Sequence, residues 1–132
     1  DFDLPILTVF LPASFIATPA LTVSKGVRLP GLEYANRALG KPKSGKTVFL
    51  HGGYWKAEPV YPGGLKNSSL FGRSSNQEML VAPKNSSLKV DDFDFLRPTQ
   101  SEAVFLQFPT IAVFSGGHIT DLWAPLPSPH KR

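Results

Sequence analysis

The longest apolar stretch of the chain covers residues 4–23, LPILTVFLPASFIATPALTV, and contains no charged residue. Its length is close to the roughly 20 residues that a helix needs to cross a membrane. Asp1 and Asp3 precede it, whereas Lys25 and Arg28 follow it, which is the charge asymmetry of a membrane segment with its basic end in the cytoplasm. One interpretation of this stretch is therefore a single membrane-spanning helix.

Three prolines in the same stretch favour a different structure. Pro5, Pro12 and Pro19 each lack a backbone donor, and prolines in a helix interior kink or break it. The apolar residues between them then predict two extended segments, residues 6–11 and 15–23, that pack as an arm on a partner or on the core. The sequence leaves both alternatives open and favours the apolar arm.

The only clear helical pattern of the sequence lies in a basic segment, residues 25–46. Leu32, Ala35 and Leu39 are spaced to fall on one side of a helix, and Gly40 follows as a typical helix end. We therefore expect one short helix near residues 30–39. The remainder of the segment is predicted to be a basic linker.

Two later apolar runs are typical of β-strands, and each ends at a Gly-Gly pair. They are residues 47–51, TVFLH, and residues 103–114, AVFLQFPTIAVF. Pro109 removes a backbone donor inside the second run, so this run is predicted to form two strands.

The composition of the chain suggests that such elements stay short. Among its 132 residues, 11 are Gly and 13 are Pro, which together exceed the ordinary share of roughly 12%. Each Pro removes a hydrogen-bond donor and each Gly raises the entropic cost of ordering the backbone. We therefore predict a loop-rich protein with low regular secondary structure, in which short β-strands accompany the one short helix.

A chain of this length accommodates one domain, which the sequence divides into four segments. An apolar N-terminal arm or membrane segment covers residues 1–24, and the basic linker with its short helix covers residues 25–46. A loop-rich body that contains the strands follows at residues 47–124. Residues 125–132, PLPSPHKR, predict an extended C-terminal tail.

One candidate phosphate-binding motif overlaps the basic linker. Residues 40–47, GKPKSGKT, match the pattern G-x-x-x-x-G-K-[ST], but that motif needs a strand before the loop and a helix after it. Here the expected helix precedes the loop and a strand follows it, and Pro42 removes a donor from the loop. We interpret the segment as linker and predict no nucleotide site.

A second candidate motif is His51-Gly52-Gly53-Tyr54-Trp55, which follows the strand-like TVFL. It resembles the oxyanion-hole segment of α/β-hydrolases related to esterases and formamidases, and the resemblance implies backbone donors for a tetrahedral oxyanion. The nucleophile elbow of that family is absent, because the nearest candidate, VFSGG, lacks the first glycine. Without nucleophile and base there is no acyl transfer, so no enzymatic activity is predicted.

Metal and cofactor chemistry has little support in the sequence. There is no cysteine, which excludes disulfide bonds and Cys-based metal sites. The acids Asp91, Asp92 and Asp94 lack the pattern of a calcium loop, and DFDF alternates as a strand with its acids on one face, which we interpret as solvated or paired with Arg. The histidines are scattered, so neither a metal nor a cofactor is predicted, and whether His51 or His118 is a ligand stays open.

These features favour a non-catalytic accessory or structural subunit of a larger multiprotein assembly, with a membrane-embedded assembly as one form. A small loop-rich core buries few large aromatic residues, so the remainder are predicted to be interface anchors. The anchors are Phe10, Phe15, Tyr54, Trp55, Phe71, Phe93, Phe95 and Trp123. The predicted basic contact patch, for an acidic surface or phosphate groups, consists of Lys25, Arg28, Arg37, Lys41, Lys43 and Lys46.

The expected partners are other protein subunits, with membrane lipid as a second class. Membrane association is favoured, in an organelle or a bacterium. Nucleic acid is disfavoured because the net charge is only +4 and stacking residues are scarce in the basic linker. The alternative is a soluble β-rich binding module for a carbohydrate, a peptide or a small ligand.

Overall fold

The computed structural model describes residues 13–26, 45–68 and 76–125. Within them the chain forms eight strands and one short helix. In chain order these are β1 (Ile16–Lys25), β2 (Lys46–His51), β3 (Ala57–Tyr61), β4 (Lys66–Asn67), β5 (Gln77–Ala82), β6 (Phe93–Pro98), α1 (Ser101–Phe105), β7 (Ile111–Ser115) and β8 (His118–Trp123). The expected helix near residues 30–39 and the arm segment 6–11 lie outside the described residues.

Six of the strands form one antiparallel sheet in the order β3-β6-β1-β2-β5-β4. The two edge strands of this order, β3 and β4, contact each other, so the sheet curls into a nearly closed barrel. Such closure protects sheet edges that would otherwise expose unpaired backbone groups. Strands β7 and β8 form a separate two-stranded hairpin.

Strand β1 joins the two halves of the barrel. It pairs with β6 from Ile16 to Pro19 and with β2 from Ala20 to Lys25. The change of partner occurs between Pro19 and Ala20, so the residue without an N–H lies at the end of the pairing with β6. Leu21 is an extra residue in the pairing with β2, and a bulge of this kind bends a strand and increases its twist.

The core lies inside the curled sheet and follows the two-residue alternation of its strands. Val48 and Leu50 on β2, Leu80 on β5 and Leu96 on β6 are fully buried. Trp55 and Val104 close the same hydrophobic cluster from the loop after β2 and from α1. The apolar stripes of strands that are distant in sequence thus meet in one core.

The prediction of a loop-rich fold with low regular structure is wrong, because most of the described residues belong to strands. The reason is the position of the Pro and Gly residues in the sheet. Pro59 lies on the edge strand β3, where its missing donor faces no ladder. Gly52 follows β2, and Gly116 and Gly117 form the β7–β8 turn. These residues lie at the ends and edges of strands and leave most of each ladder intact.

The alternative of a membrane-spanning N-terminal helix is also wrong. Residues 16–23 of the apolar stretch belong to strand β1, which lies between two other strands. No helix among residues 13–26, 45–68 and 76–125 has the length and apolar character needed to cross a membrane. The stretch is apolar because its inward residues, such as Ile16 and Ala20, line the core.

The two predicted β-runs have different outcomes. The strand at residues 47–51 is confirmed as β2, and the second half of residues 103–114 is confirmed as β7. The strand predicted for the first half of residues 103–114 is wrong, because Ser101–Phe105 is helical. There the chain turns back after β6, and one helical turn buries Val104 in the core. Tertiary packing has overridden the β-propensity of this segment.

Candidate functional site

The hairpin β7–β8 has one face made of large apolar side chains. Directly paired residues share a face of a sheet, as do residues two apart on one strand. The pairs Ala112–Leu122 and Phe114–Ile119 therefore lie on the same face. Thr120 is an extra residue between these pairs, and this bulge brings Ile119 to the side of Leu122. We call Phe114, Ile119 and Leu122 the hairpin patch.

The hairpin patch is open to solvent. Phe114, Ile119 and Leu122 expose 70%, 61% and 64% of their surfaces, and all six residues of β8 are exposed. On the opposite face, the indole nitrogen Nε1 of Trp123 donates a hydrogen bond of 2.8 Å to Asp121 Oδ2. The face opposite the patch thus combines the apolar residues Ile111, Val113 and Trp123 with this polar interaction, whereas the patch itself is wholly apolar.

A second candidate site is a groove of about 240 Å³ that contains three lysines, Lys25, Lys46 and Lys89. We call it the lysine groove. Lys25 and Lys46 are direct partners in the pairing of β1 with β2. The ammonium group of Lys46 donates a hydrogen bond to the Ser86 carbonyl. The groove walls also include the apolar residues Val23, Leu88 and Val90.

A third candidate is a groove of about 310 Å³ on the other side of Leu88. We call it the aromatic groove, because the exposed rings of Tyr61 and Phe93 line it together with Asp92 and Ser87. Phe95 supports Tyr61 through an edge-on ring contact, with the ring centroids 6.0 Å apart. This geometry offers flat apolar faces beside a carboxylate and a hydroxyl.

The Gly-Gly turn after β2 has a packing role. The backbone of Gly52 has φ +79, and a Cβ there would lie 2.6 Å from Cζ2 of Trp55. The indole of Trp55 therefore lies directly over Gly52 and is buried. It also contacts Phe108, with the ring centroids 6.1 Å apart. The sequence HGGYW is explained by this tight turn and its buried tryptophan.

Asp94 is the most unusual ionisable group of the described residues. It is fully buried on the inner face of β6 opposite Thr18, and neither of its carboxylate oxygens has a hydrogen-bond partner. Burial, and to a smaller extent the negative charge of Asp92, raise the pKa of Asp94 to about 6. The interpretation of DFDF as a strand with a solvated acidic face is therefore wrong for Asp94, since this side chain points into the core.

No metal site accompanies this acid in the described part of the chain, where no group of three or more His, Asp or Glu side chains comes together. His51 lies exposed at the end of β2, and His118 lies exposed beside the hairpin turn. His118 Nδ1 is 3.2 Å from the carbonyl of Gly116, which is a local turn contact.

The structure separates the predicted anchors into three groups. Phe15, Tyr54, Phe93 and Trp123 are exposed, whereas Phe95 is half-buried and Trp55 is part of the core. Phe10 and Phe71 lie outside the described residues. Exposure therefore leaves four of the anchors available to a partner, and they come from different elements, since Trp123 lies on the hairpin and Phe93 on β6.

The predicted basic patch is described at two positions, Lys25 and Lys46, which the register brings together. The other four members, Arg28, Arg37, Lys41 and Lys43, lie outside the described residues.

The end of the phosphate-loop pattern, residues 45–47, is also described. Thr47 begins no helix, because it lies in β2, where its hydroxyl donates a hydrogen bond of 2.9 Å to the Gly26 carbonyl.

Sequence reasoning missed Lys89 and the hairpin patch. Lys89 carries no local signal, because it reaches the groove only when the loop before β6 folds against β1. The hairpin did carry a signal, since a Gly-Gly pair lies between two β-prone runs, IAVFS and HITDLW. The pair ends strand β7 and is also the turn of a hairpin.

Comparison with known proteins adds no identification, since no family model, no curated protein and no solved structure matches this chain.

Proposed function

We propose that this chain is a non-catalytic, barrel-like accessory domain that docks on another protein through the hairpin patch. The observation that carries the proposal is the exposure of Phe114, Ile119 and Leu122 on one face of a hairpin. Contiguous exposed apolar residues on an ordered surface mark interaction sites. The proposal includes that this domain belongs to a larger assembly of several proteins.

The energetics of the hairpin support docking. A two-stranded hairpin has little stability of its own in water, and all of β8 is exposed. Moving one fully exposed side chain of this size into an interface is favourable by about 1.5–3 kcal/mol. A partner that covers the patch would therefore both bind tightly and stabilise the hairpin.

The chemistry of the patch supports an apolar protein surface as the partner. Its three members carry no charge, and the nearest described acid in the ladder, Asp121, already accepts hydrogen bonds from Trp123 and from the backbone of Leu122. A flat apolar surface with few charges complements such a face. Membrane association and an organellar or bacterial location remain predictions from the sequence.

Photo-crosslinking tests the proposal in cells that naturally produce the protein. A benzophenone side chain at position 114 is expected to give one adduct with a different protein. The same label at position 66 on β4, which is also exposed, serves as the control. The adduct should vanish when Leu122→Glu is added, because a charge in the patch opposes burial.

The identified partner should then be purified and titrated with the full chain. Leu122→Glu should weaken its binding by about tenfold or more. An adduct between two copies of this chain would contradict the proposal, as would equal labelling from positions 114 and 66.

The alternative function, a binding module for a carbohydrate or small ligand, has its own supporting observation. Tyr61 and Phe93 present exposed rings over the aromatic groove, with the Asp92 carboxylate beside them. Aromatic faces combined with hydrogen-bonding groups suit a sugar ring. Saturation-transfer NMR with monosaccharides, repeated on Tyr61→Ala, tests it, and a signal that is unchanged in the variant would exclude this groove.

A further inference from the structure

We propose that Lys25, Lys46 and Lys89 form a binding site for a phosphate monoester. All three line the lysine groove, between the end of β1, the start of β2 and the loop that precedes β6. The site shares no residue with the hairpin patch, so it stands or fails independently of the docking function.

Strand register provides the first argument. Lys25 and Lys46 are direct cross-strand partners, and like charges in directly opposite positions destabilise a sheet. Lys89 adds a third positive charge at the same groove. Within the part of the chain that the structure describes, no carboxylate forms an ion pair with any of the three. The Asp92 carboxylate accepts a hydrogen bond of 2.8 Å from the backbone N–H of Lys89 and not from its ammonium group. An anionic ligand would supply the charged partner that the three ammonium groups lack.

The backbone around the groove is held in place before any ligand arrives. Lys46 donates its ammonium hydrogen bond to the Ser86 carbonyl, which ties the start of β2 to the loop. Two backbone hydrogen bonds of 2.9 Å join Ala20 of β1 to the end of the same loop. Lys89 lies between these two attachments. The groove therefore requires little ordering on binding, which favours affinity.

The number of charges and the size of the groove define the ligand. A phosphate monoester carries about −1.5 to −2 charges at pH 7 and three acceptor oxygens, whereas a carboxylate offers a single charge. The groove, about 240 Å³, is smaller than the roughly 300–1,000 Å³ of pockets that enclose a whole ligand. It therefore holds the charged end of a ligand. The apolar wall of Val23, Leu88 and Val90 strengthens the attraction by excluding water from one side.

NMR titration of the full chain with ribose 5-phosphate tests the site. Saturable shifts are expected for the backbone amides of Lys25, Lys46 and Lys89, and ribose at the same concentration should cause none. Inorganic phosphate should shift the same amides. The proposal would be overturned if neither phosphate compound caused saturable shifts and if phosphatidic acid caused no sedimentation in the vesicle experiment described below.

Matched double variants separate the groove from general attraction to a basic protein. Lys25→Gln/Lys89→Gln should weaken binding by about tenfold or more. Lys56→Gln/Lys66→Gln loses the same charge outside the groove and should change affinity by no more than about twofold. Lys46 is kept, because its bond to Ser86 also supports the fold. Equal weakening in the two double variants would contradict a defined site.

Co-sedimentation with lipid vesicles identifies whether the phosphate belongs to a lipid headgroup or to a small molecule. Phosphatidylcholine vesicles with and without phosphatidic acid are sedimented with the protein. Sedimentation that needs phosphatidic acid and is lost in Lys25→Gln/Lys89→Gln would support the site with a lipid headgroup as its ligand. Saturable binding of ribose 5-phosphate without sedimentation would support it with a small phosphorylated molecule.

Discussion

The barrel and the hairpin are both antiparallel β-structure, yet they differ in what their side chains contact. In the barrel, each strand between the edges has two neighbours, and its inward residues, such as Leu50 and Leu96, are fully buried. In the hairpin, each strand has one neighbour, and Phe114 and Leu122 face solvent. The difference shows that apolar residues in the same secondary structure stabilise the fold in one region and are available to a partner in the other.

The strongest test of this comparison replaces one leucine in each region. Leu50→Ala leaves a cavity in the barrel core and should lower the free energy of unfolding by about 3 kcal/mol. Leu122→Ala removes an exposed side chain and should change it by less than about 0.5 kcal/mol. Denaturant titration of the two variants measures both values. Similar losses would show that the hairpin is packed within this chain.

A second test compares the two regions through one acid in each. Asp94 is buried in the barrel without a hydrogen-bond partner, whereas Asp121 is exposed in the hairpin and bonded to Trp123. Burial raises the pKa of Asp94 from 3.8 to about 6 in the folded protein. The folded state therefore holds this proton more strongly than the unfolded state does. The contribution of Asp94 to stability should therefore be fully present below about pH 4 and be lost as pH rises through about 6.

The expected loss over this interval is about 2 kcal/mol, measured by denaturant titration at a series of pH values. Asp94→Asn should flatten that part of the profile and stabilise the protein at neutral pH, because an amide cannot ionise. In an NMR titration, Asp92→Asn should lower the pKa of Asp94, since it removes the second cause of the shift. Identical profiles for wild type and Asp94→Asn between pH 4 and pH 6 would contradict the burial of an ionisable Asp94.

A third test uses one glycine from each region with the same backbone constraint. Gly52 has φ +79 and Gly117 has φ +86, but only Gly52 has Trp55 lying over it. Ala at either position strains the backbone by about 1 kcal/mol. Gly52→Ala should cost about 1–2 kcal/mol more than Gly117→Ala, because Trp55 must also move. Thermal unfolding measures the difference, and equal losses would remove Trp55 from the explanation.

The smallest expected effect on stability belongs to a polar substitution in the hairpin patch. Phe114→Ser should leave the free energy of unfolding within about 0.5 kcal/mol of wild type, since the ring is already in water. The same variant should bind less of an apolar fluorescent dye. Unchanged dye binding would indicate that another exposed surface, such as the one around Tyr61, accounts for it.

Local patterns in the sequence predicted part of this structure correctly. The apolar run at residues 47–51 became β2, and the run after Pro109 became β7. These predictions succeeded because alternation and chain breakers act between residues that are neighbours in sequence. The abundance of Pro and Gly predicted too little regular secondary structure, because composition does not reveal that these residues lie at the edges and turns of the sheet.

The candidate sites were predictable only in part, because local patterns and composition do not show which distant residues meet. Lys25 and Lys46 belong to one basic segment of the sequence, but only the register of β1 with β2 makes them direct partners. Lys89 joins them from a loop that is distant in the chain. Trp55 was expected at an interface, yet the Gly52 turn folds its ring into the core.

The sequence by itself determined the strand at residues 47–51, the strand that follows Pro109 and the alternation of side chains within them, because these follow from the two-residue period of an extended chain. It determined that Asp92 and Asp94 alternate with two phenylalanines. Only the tertiary structure decided that the face with Asp94 points inward while the patch of Phe114 and Leu122 points outward. A strand has two equivalent faces until other strands pack on one of them, so burial, and with it the docking surface, depends on contacts between distant parts of the chain.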